Sequence, residues 1–266
     1  MLPKTVTAVV VALLAALLTC SPGAVAPASA AGGTDRTGPV TVRVLQFNIR
    51  FGSYGLEGVA RSIERTGADV VLLNEVDVQT RPGGLHQARW LARRLGMDFR
   101  YDANIRFRWG VRGNAVLTRH RISEVERFDL HEPRGSRPRG LMRVRLTAGG
   151  VAFDAWTSHL TTGAGKLRQA RDVAARIGDP SCATVLGIDL NGAPGSPFDR
   201  AVRTHLQDVW RETQQPRAAT NFRQTKRIDY LYTDEVTPRA AWLTPLRHSD
   251  HRGVVGVLRI PRTQAC

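Results

Sequence analysis

Lysine is almost missing from this 266-residue chain: it stands only at positions 4, 166 and 226, so nearly all of the 38 basic residues are arginine. Long apolar runs are just as scarce. The only one, TVTAVVVALLAALL at 5–18, has fourteen residues, fewer than the roughly 20 that a membrane-spanning helix needs. It follows Lys4 and precedes a small-residue stretch ending in Ala28, Ser29 and Ala30, the layout of a secretory signal with an A-x-A-like cleavage site. A lipoprotein site at Cys20 is the rival reading, and Thr19 before it fits such sites poorly. The expectation is a secreted protein with no membrane span. No repeat, low-complexity block or Pro/Gly/Ser-rich linker divides the rest of the chain. The sequence therefore reads as a signal (1–30), a disordered leader (31–39) and a single domain (40–266), expected to be a monomer.

Of three cysteines, Cys20 leaves with the signal, which keeps Cys182 and Cys266. An even count in an oxidising compartment permits one disulfide, two free thiols being the alternative. The formal charge is +15, and Lys4 is the only charged residue of the signal. Arginine's planar fork suits bidentate phosphate contacts, so the balance points to a polyanionic substrate or an anionic membrane surface; an Arg-rich solvated face is the bland alternative. A G-x-S-x-G elbow is absent. Ser249, Asp250 and His251 are consecutive, which does not give the converging geometry of a hydrolase triad.

What is present alternates helix and strand patterns. TVRVLQF (41–47) reads as a strand ending at Asn48, residues 56–66 as a helix stopped by Gly67, and ADVVLLNEVD as a buried strand ending at Asn74 and Glu75. A helix over 85–95 is followed by strands at 99–102, 114–118, 124–130, 140–147 and 150–158. A helix over 164–177, a strand over 183–188 and a short helix near 197–205 precede strands at 227–233, 237–243 and 253–259. Helices separate some strands and hairpins join others, which predicts an α/β fold: a four-layer α/β/β/α sandwich of two facing mixed sheets with helices outside.

Carboxylates, amides and imidazoles fall at the ends of these apolar runs: Asn48, Glu75, His159, Asp189 with Asn191, Asp229, and Asp250 with His251. A hard divalent cation needs oxygen ligands, and Mg²⁺ takes one or two carboxylates while keeping waters and phosphate oxygens. Glu75 is the best primary ligand, with an amide oxygen from Asn48 and a second carboxylate from Asp250. Phosphoester hydrolysis further needs an oriented water, a base or charge stabiliser, and donors around phosphorus. Asp189, Asn191, His159 and His251 have that chemistry. Any one of these residues alone is usually a turn former or a packed side chain.

Together they form an ordered series: QFNIR (46–50), LLNEVD (72–77), GNAVLT (113–118), TSHL (157–160), GIDLNG (187–192), RIDYLY (227–232) and SDHRGV (249–254). Over residues 41–260 the chain resembles the endonuclease/exonuclease/phosphatase superfamily. The resemblance implies that Asn48, Glu75 and Asp250 are metal-side residues and that Asp189 activates water beside Asn191. It pairs His251 with Asp229 and places His159 at the phosphoryl group or leaving oxygen. Asn114 and Arg139 resemble the family's phosphate-binding amide and arginine. The cofactor implied is Mg²⁺, with Mn²⁺ or Ca²⁺ as alternatives. Two departures stand out. No Glu lies between Glu75 and Glu124 to pair with the first histidine as in deoxyribonuclease-type members, and Ile188 replaces a common Gly.

Three substrates fit this reading. Nucleic acid suits the charge and the arginines Arg134, Arg137 and Arg139; an anionic lipid head group would use Trp109 in NIRFRWGVRG as an interfacial anchor; the third is a small soluble phosphate ester. A binding module that has lost catalysis is the other class, and it would be expected to have lost some of the residues named.

Overall fold

A computed structural model describes residues 38–178, 182–262 and 266, and all of these fall in one unit, Thr37–Cys266. The expected signal and all but the last two residues of the leader lie outside the described residues. No helix among the described residues is long and apolar enough to cross a membrane.

Period-2 alternation builds the strands. In β1 (Val40–Asn48), Val42 and Val44 turn to one core while Leu45 and Phe47 turn to another. A single 3-10 turn (Arg50–Gly52) leads to α1 (Leu56–Thr66), which Gly67 ends at φ 62°, a left-handed cap that glycine adopts without steric cost. β2 (Val70–Val78) pairs with β1 in parallel and is followed by α2 (Gln87–Leu95), whose N-cap is His86. β3 (Asp98–Arg106) and β4 (Val111–Thr118) form a hairpin on the far side of β2.

The second sheet begins with the meander β5 (Arg121–Asp129), β6 (Gly140–Ala148) and β7 (Val151–His159). α3 (Lys166–Ile177) crosses over to β8 (Thr184–Asp189), parallel to β7. Then come α4 (Pro197–Val202), the two-residue β9 (Gln207–Asp208), α5 (Val209–Glu212) and β10 (Asp229–Asp234). β11 (Thr237–Leu243) and β12 (Val254–Ile260) return to the first sheet. The strand orders are β11-β12-β1-β2-β4-β3 and β5-β6-β7-β8-β10-β9, six strands each.

The core has three parts. Val42, Val44, Val70 and Leu72 of the first sheet meet Val144, Phe153, Val185 and Leu231 of the second. Leu45, Phe47, Leu73 and Val255 lie with Val59, Ile63 and Leu91 of α1 and α2. Trp156, Leu186, Tyr230 and Tyr232 lie with Val173, Ile177 and Val202 of α3 and α4. The layers are therefore α/β/β/α, as the alternation predicted. Elements missed by pattern are the shortest: the 3-10 turn, β9 and α5. α4 also stops at Val202, three residues before the predicted end.

Gly187 marks how closely the sheets approach. A Cβ there would stand 2.6 Å from Leu72 Cδ1 and 2.7 Å from Leu72 Cβ, so any side chain would push the two sheets apart. The expected disulfide joins Cys182, just before β8, to Cys266, 84 residues on. Closing a loop of that length stabilises by about 4 kcal/mol in the chain-entropy model, with measured values usually lower. Replacing both cysteines by serine should lower the Tm by roughly 5–15 °C, with reductant shifting the unmodified protein by the same amount. Equal melting curves for all three samples would show that the bridge contributes nothing.

Candidate active site

At one end of the inter-sheet core the inward column of each strand turns from aliphatic to polar. Val42 and Val44 are followed two and four residues on by Gln46 and Asn48, Leu72 by Asn74, Val185 and Gly187 by Asp189, and Phe153 and Ala155 by Thr157 and His159. Backbone register aligns these polar residues into rows. Asn48 pairs with Asn74 in the first sheet, and His159, Asp189 and Asp229 are successive partners in the second.

Glu75 does not end its strand as the sequence suggested. β2 runs on to Val78, and the ladder to β4 shifts between Leu73 and Val76, where Glu75 has φ 54°. Leu73 and Val76 both face the helices. The extra residue of the bulge therefore frees Glu75 from the helix side, where strict alternation would have buried it. Its Oε1 accepts from Asn48 Nδ2 at 3.2 Å, and its Oε2 lies 3.8 Å from Arg112 Nη1. Arg112 is fixed by a two-point contact to Asp77 (2.6 and 3.1 Å) and lies over Phe51.

Asn48 Nδ2 also donates to Asp189 Oδ2 at 2.9 Å, while its Oδ1 accepts from Arg50 N. A backbone N–H can only donate, and these carboxylate oxygens accept, so the amide orientation is fixed by chemistry. The amide oxygen accepts from the backbone with one lone pair, leaving a second for a cation, and the amide nitrogen aligns two carboxylates. Asp250 sits beside the same tip of β1: Ser249 Oγ donates to the Asn48 carbonyl at 2.6 Å, and Arg50 Nη1 is 3.3 Å from Asp250 Oδ2.

Asp189, 1% exposed, lies 3.4 Å from His159 Nε2 and 3.9 Å from His251 Nδ1. Burial and the neighbouring Asp229 push its pKa up to about 7, against the pull of His251 and the Asn48 and Asn191 donors. His251 Nδ1 is 2.8 Å from Asp229 Oδ2; burial acts to lower the imidazole, but Asp229, Asp189 and Asp250 together raise it to about 10. His159 goes the other way, held well below the usual value by burial and by the charges of Arg139, His251 and Arg112. Asn191, at φ 52°, donates through Nδ2 to the Leu160 carbonyl (2.9 Å) and faces His159 Nε2 (3.1 Å). One imidazole is thus charged and the other neutral.

The structure brings together Asn48, Glu75, His159, Asp189, Asn191, Asp229, Asp250 and His251. It treats the two expected phosphate residues differently. Asn114 is engaged at both ends, accepting from Asn74 Nδ2 at 2.9 Å and donating to Asn104 Oδ1 at 3.0 Å. Arg139 has a buried Nε without a hydrogen-bond partner, and its guanidinium lies in the field of Asp189 and Glu75. Residues that the sequence reading missed are Gln46 and Asn74, Arg112, and Lys166, whose Nζ donates to the Asn191 carbonyl at 2.8 Å. Two amides interrupting apolar runs, and one of only three lysines, were the available signals.

Two donor sets could hold a cation. Ligand atoms of Asp189, Asp229 and His251 lie within 4.8 Å of one another, yet His251 is already bonded to Asp229 and Asp189 to Asn48, and an imidazole suits a hard cation poorly. Glu75 and Asp250 offer oxygen only, flank the tip of β1, and are the more open pair, at 24% and 21% side-chain exposure. That set offers the oxygen ligands a hard divalent cation takes, with Arg112 and Arg50 the neighbouring cations at 3.8 and 3.3 Å.

Comparison with known proteins gives the family. A model described as the Endonuclease/Exonuclease/phosphatase family matches residues 45–251. An uncharacterised protein of Escherichia coli K12, YbhP, is 29% identical over 126 residues, covering 42% of this chain and 49% of that one; the chain spans about half the length of the curated relatives it matches. Similar solved structures include an endonuclease/exonuclease/phosphatase from Beutenbergia cavernae (TM-score 0.68, 24% identity, 83% of this chain and 72% of that one). A mannosyl-6-phosphatase of Bacteroides thetaiotaomicron has TM-score 0.65 and 15% identity over 82% and 99% of the two chains. D. rerio TDP2 with a single-strand DNA product has TM-score 0.64 and 16% identity over 82% and 98%. At these identities the structural likenesses establish the fold.

The buried amide Asn74 bonds to Asn114, to the Ser158 carbonyl (3.0 Å) and, as acceptor, to Gln46 (3.0 Å). Asn74→Ala leaves those groups unpaired and should cost about 2–3 kcal/mol in urea unfolding. A cost below roughly 0.5 kcal/mol would mean that water replaces the amide.

Proposed function

The chain belongs to the endonuclease/exonuclease/phosphatase family, and from that premise we propose that it is an exported, Mg²⁺-dependent phosphodiesterase that acts on nucleic acid by in-line attack of water on phosphorus. The observation that carries this reading is the buried Asp189 carboxylate, aligned by Asn48 from the opposite sheet and set between the His159 and His251 imidazoles at 3.4 and 3.9 Å. A carboxylate whose proton affinity is raised by burial suits the task of taking a proton from water. Asn191 would orient that water or a phosphoryl oxygen. Asp229 would keep the His251 ring oriented and charged, so that His251 faces developing negative charge. His159, neutral and beside Asp189, would meet the phosphoryl group or the leaving oxygen.

Glu75 and Asp250 would hold the ion, which when bound neutralises phosphoryl oxygens and lowers the cost of charge on the leaving oxygen. The unpartnered Nε of Arg139 suits a phosphate oxygen. Export is supported by the signal pattern at the N-terminus and by the Cys182–Cys266 bridge, since disulfides persist in oxidising compartments. One observation favours a second substrate: Trp109, 52% exposed at the β3–β4 turn with Arg108 over its ring, could enter a lipid interface. Preference for anionic vesicles over nucleic acid, lost in Trp109→Ala, would select a head-group hydrolase instead.

The roles separate by mutation. Asp189→Asn should lower kcat by about 10²–10⁴-fold with metal affinity nearly unchanged. Glu75→Gln should weaken Mg²⁺ binding, and excess Mg²⁺ should restore part of its rate. Asp229→Asn and His251→Ala should be strongly non-additive, because they disable one unit. Single-turnover rates across Mg²⁺ concentrations measure all of this. Additive losses for Asp229 and His251, or metal rescue of Asp189→Asn but not of Glu75→Gln, would reverse the assignments, and full activity after exhaustive chelation would remove the metal from the reaction.

A further inference from the structure

Beyond Asn191 the chain enters a groove that the reaction itself does not use. One wall is Ala193 and Pro194, directly after Asn191 and Gly192; the other is formed by Arg217, Thr225 and Lys226, with Trp210 also lining it. The groove has a volume of about 520 Å³, within the range of sites for single small ligands. Four cations line it, Arg211, Arg217, Lys226 and Arg227, and no acidic residue does. Arg227 is committed to Asp208, with contacts of 2.5 and 3.1 Å. The side chains of Arg211, Arg217 and Lys226 have no ion pair or hydrogen bond among the described residues and are exposed.

Both walls run into the site. On the far wall Asn221 forms an isolated bridge with His251, and Thr220 Oγ1 accepts from the Asp229 backbone at 3.1 Å. The loop between is self-braced: Asn221 Oδ1 accepts from Thr225 N and Lys226 N, both at 3.0 Å, and the Lys226 carbonyl accepts from Thr220 N at 2.9 Å. That bracing fixes the segment carrying Phe222, which is 60% exposed, and Lys226. Lys166, whose ammonium holds the Asn191 carbonyl, has its proton affinity lowered mainly by burial and, against the pull of Asp189, also by the charge of Lys226. Lys166 thus bonds to the start of the 191–194 segment, and Lys226 lines the same groove as Ala193 and Pro194.

We propose that this groove is a subsite for single-stranded nucleic acid, in which Arg217 and Lys226 take phosphates flanking the scissile one and Phe222 stacks a base. The inference rests on the nucleic-acid reading given above. Unpaired cations on a preformed wall favour a repeating anion, because no internal salt bridge has to be broken to bind it. Phe222, exposed on the same braced loop with Arg223 over its ring at 5.7 Å, favours a strand with free bases over a duplex, whose bases are stacked already.

The test separates binding from turnover. Fluorescein-labelled dT12 and rU12 are titrated by anisotropy in EDTA against the wild-type protein and the Arg217→Ala/Lys226→Ala double variant, from about 50 to 300 mM NaCl, the range over which phosphate contacts are salt-sensitive. Hydrolysis of the same strands and of bis-nitrophenyl phosphate is followed with Mg²⁺. The double variant should bind roughly tenfold more weakly, and its slope of log K against log[salt] should be shallower by about 1.4, two contacts at ~0.7 each. Its loss of kcat/KM should be at least about tenfold greater on the strands than on bis-nitrophenyl phosphate. Phe222→Ala should weaken dT12 but not inorganic polyphosphate, which carries charge without bases. Unchanged affinity and slope in the double variant, or equal losses on the polymer and the small ester, would overturn the subsite. Weakening of polyphosphate as large as that of dT12 in Phe222→Ala would overturn the stacking role. Wild-type protein that hydrolyses bis-nitrophenyl phosphate but neither strand would overturn the nucleic-acid reading of the active site, while the anisotropy series would still decide whether the groove grips a strand.

Discussion

A chain of buried amides across the sheet interface is the constraint on which the rest of the site depends. Gln46 Nε2 donates both to Asn74 and to Asp229, Asn74 donates to Asn114, Asn114 to Asn104, and Asn104 to Asp102. The donors of this series point toward a carboxylate, the next amide oxygen or, for Asn74 and Asn114, also a backbone carbonyl of the second sheet, while the Gln46 Oε1 acceptor is buried without a partner among the described residues. A sandwich interior can be closed with aliphatic side chains alone, as the other end of this one is. Closing it with amides is tolerable only when nearly all of their polar atoms find partners, since a buried polar group left unpaired costs about 1–3 kcal/mol. The series therefore fixes the register of the two sheets against each other more sharply than the interchangeable contacts of valine and leucine would. The His159–Asp189–Asp229 row inherits its position from that register.

Electrostatic asymmetry within the row follows from which neighbours each group has. His159 and His251 both flank Asp189, yet only His251 has a second carboxylate on its ring nitrogen, and Asp229 in turn is held by Gln46. His159 faces the amide of Asn191 and the arginines Arg139 and Arg112. The proton affinities of two identical side chains a few ångströms from one carboxylate are thus pushed in opposite directions, His159 down by burial and neighbouring cations and His251 up, against its burial, by carboxylates. Such splitting of like groups is how a fold supplies an acid and a base at one pH.

Much of this is legible in the sequence, and what is not has physical causes. Strands such as 41–47 and 237–243 and the 56–66 helix are readable because alternation and glycine stops are local signals. The series of polar residues at strand ends is readable because it is ordered along the chain. Glu75 stands out correctly as one of the converging carboxylates but at a supposed strand end, because a bulge depends on the register with β4, which no single strand encodes. The donor that Asn48 Oδ1 accepts from, the Arg50 backbone, lies in a 3-10 turn too short to leave a periodic signal. Gln46 and Asn74 pass as interruptions of apolar runs, although sorting β1 into its two faces would have set Gln46 in the same inward column as Val44 and Asn48.

Net charge illustrates a related limit. A balance of +15 invites a polyanion, but much of that arginine is engaged in holding the scaffold. Arg143 and Arg145 lie among Glu124, Glu126 and Asp154 on the second sheet, and Arg94 spans Glu57 and Glu64 between α1 and α2. A cation already matched by a carboxylate contributes little further attraction at the distances where salt screens. The cations that can still attract a phosphate are those left without carboxylates, and near the site these include Arg139 and, along the segment that leads from it, Arg211, Arg217 and Lys226. Composition counts the two kinds together, and only the partners of each side chain tell them apart. The location of unpaired charge, rather than its total, therefore decides which substrates the surface can attract.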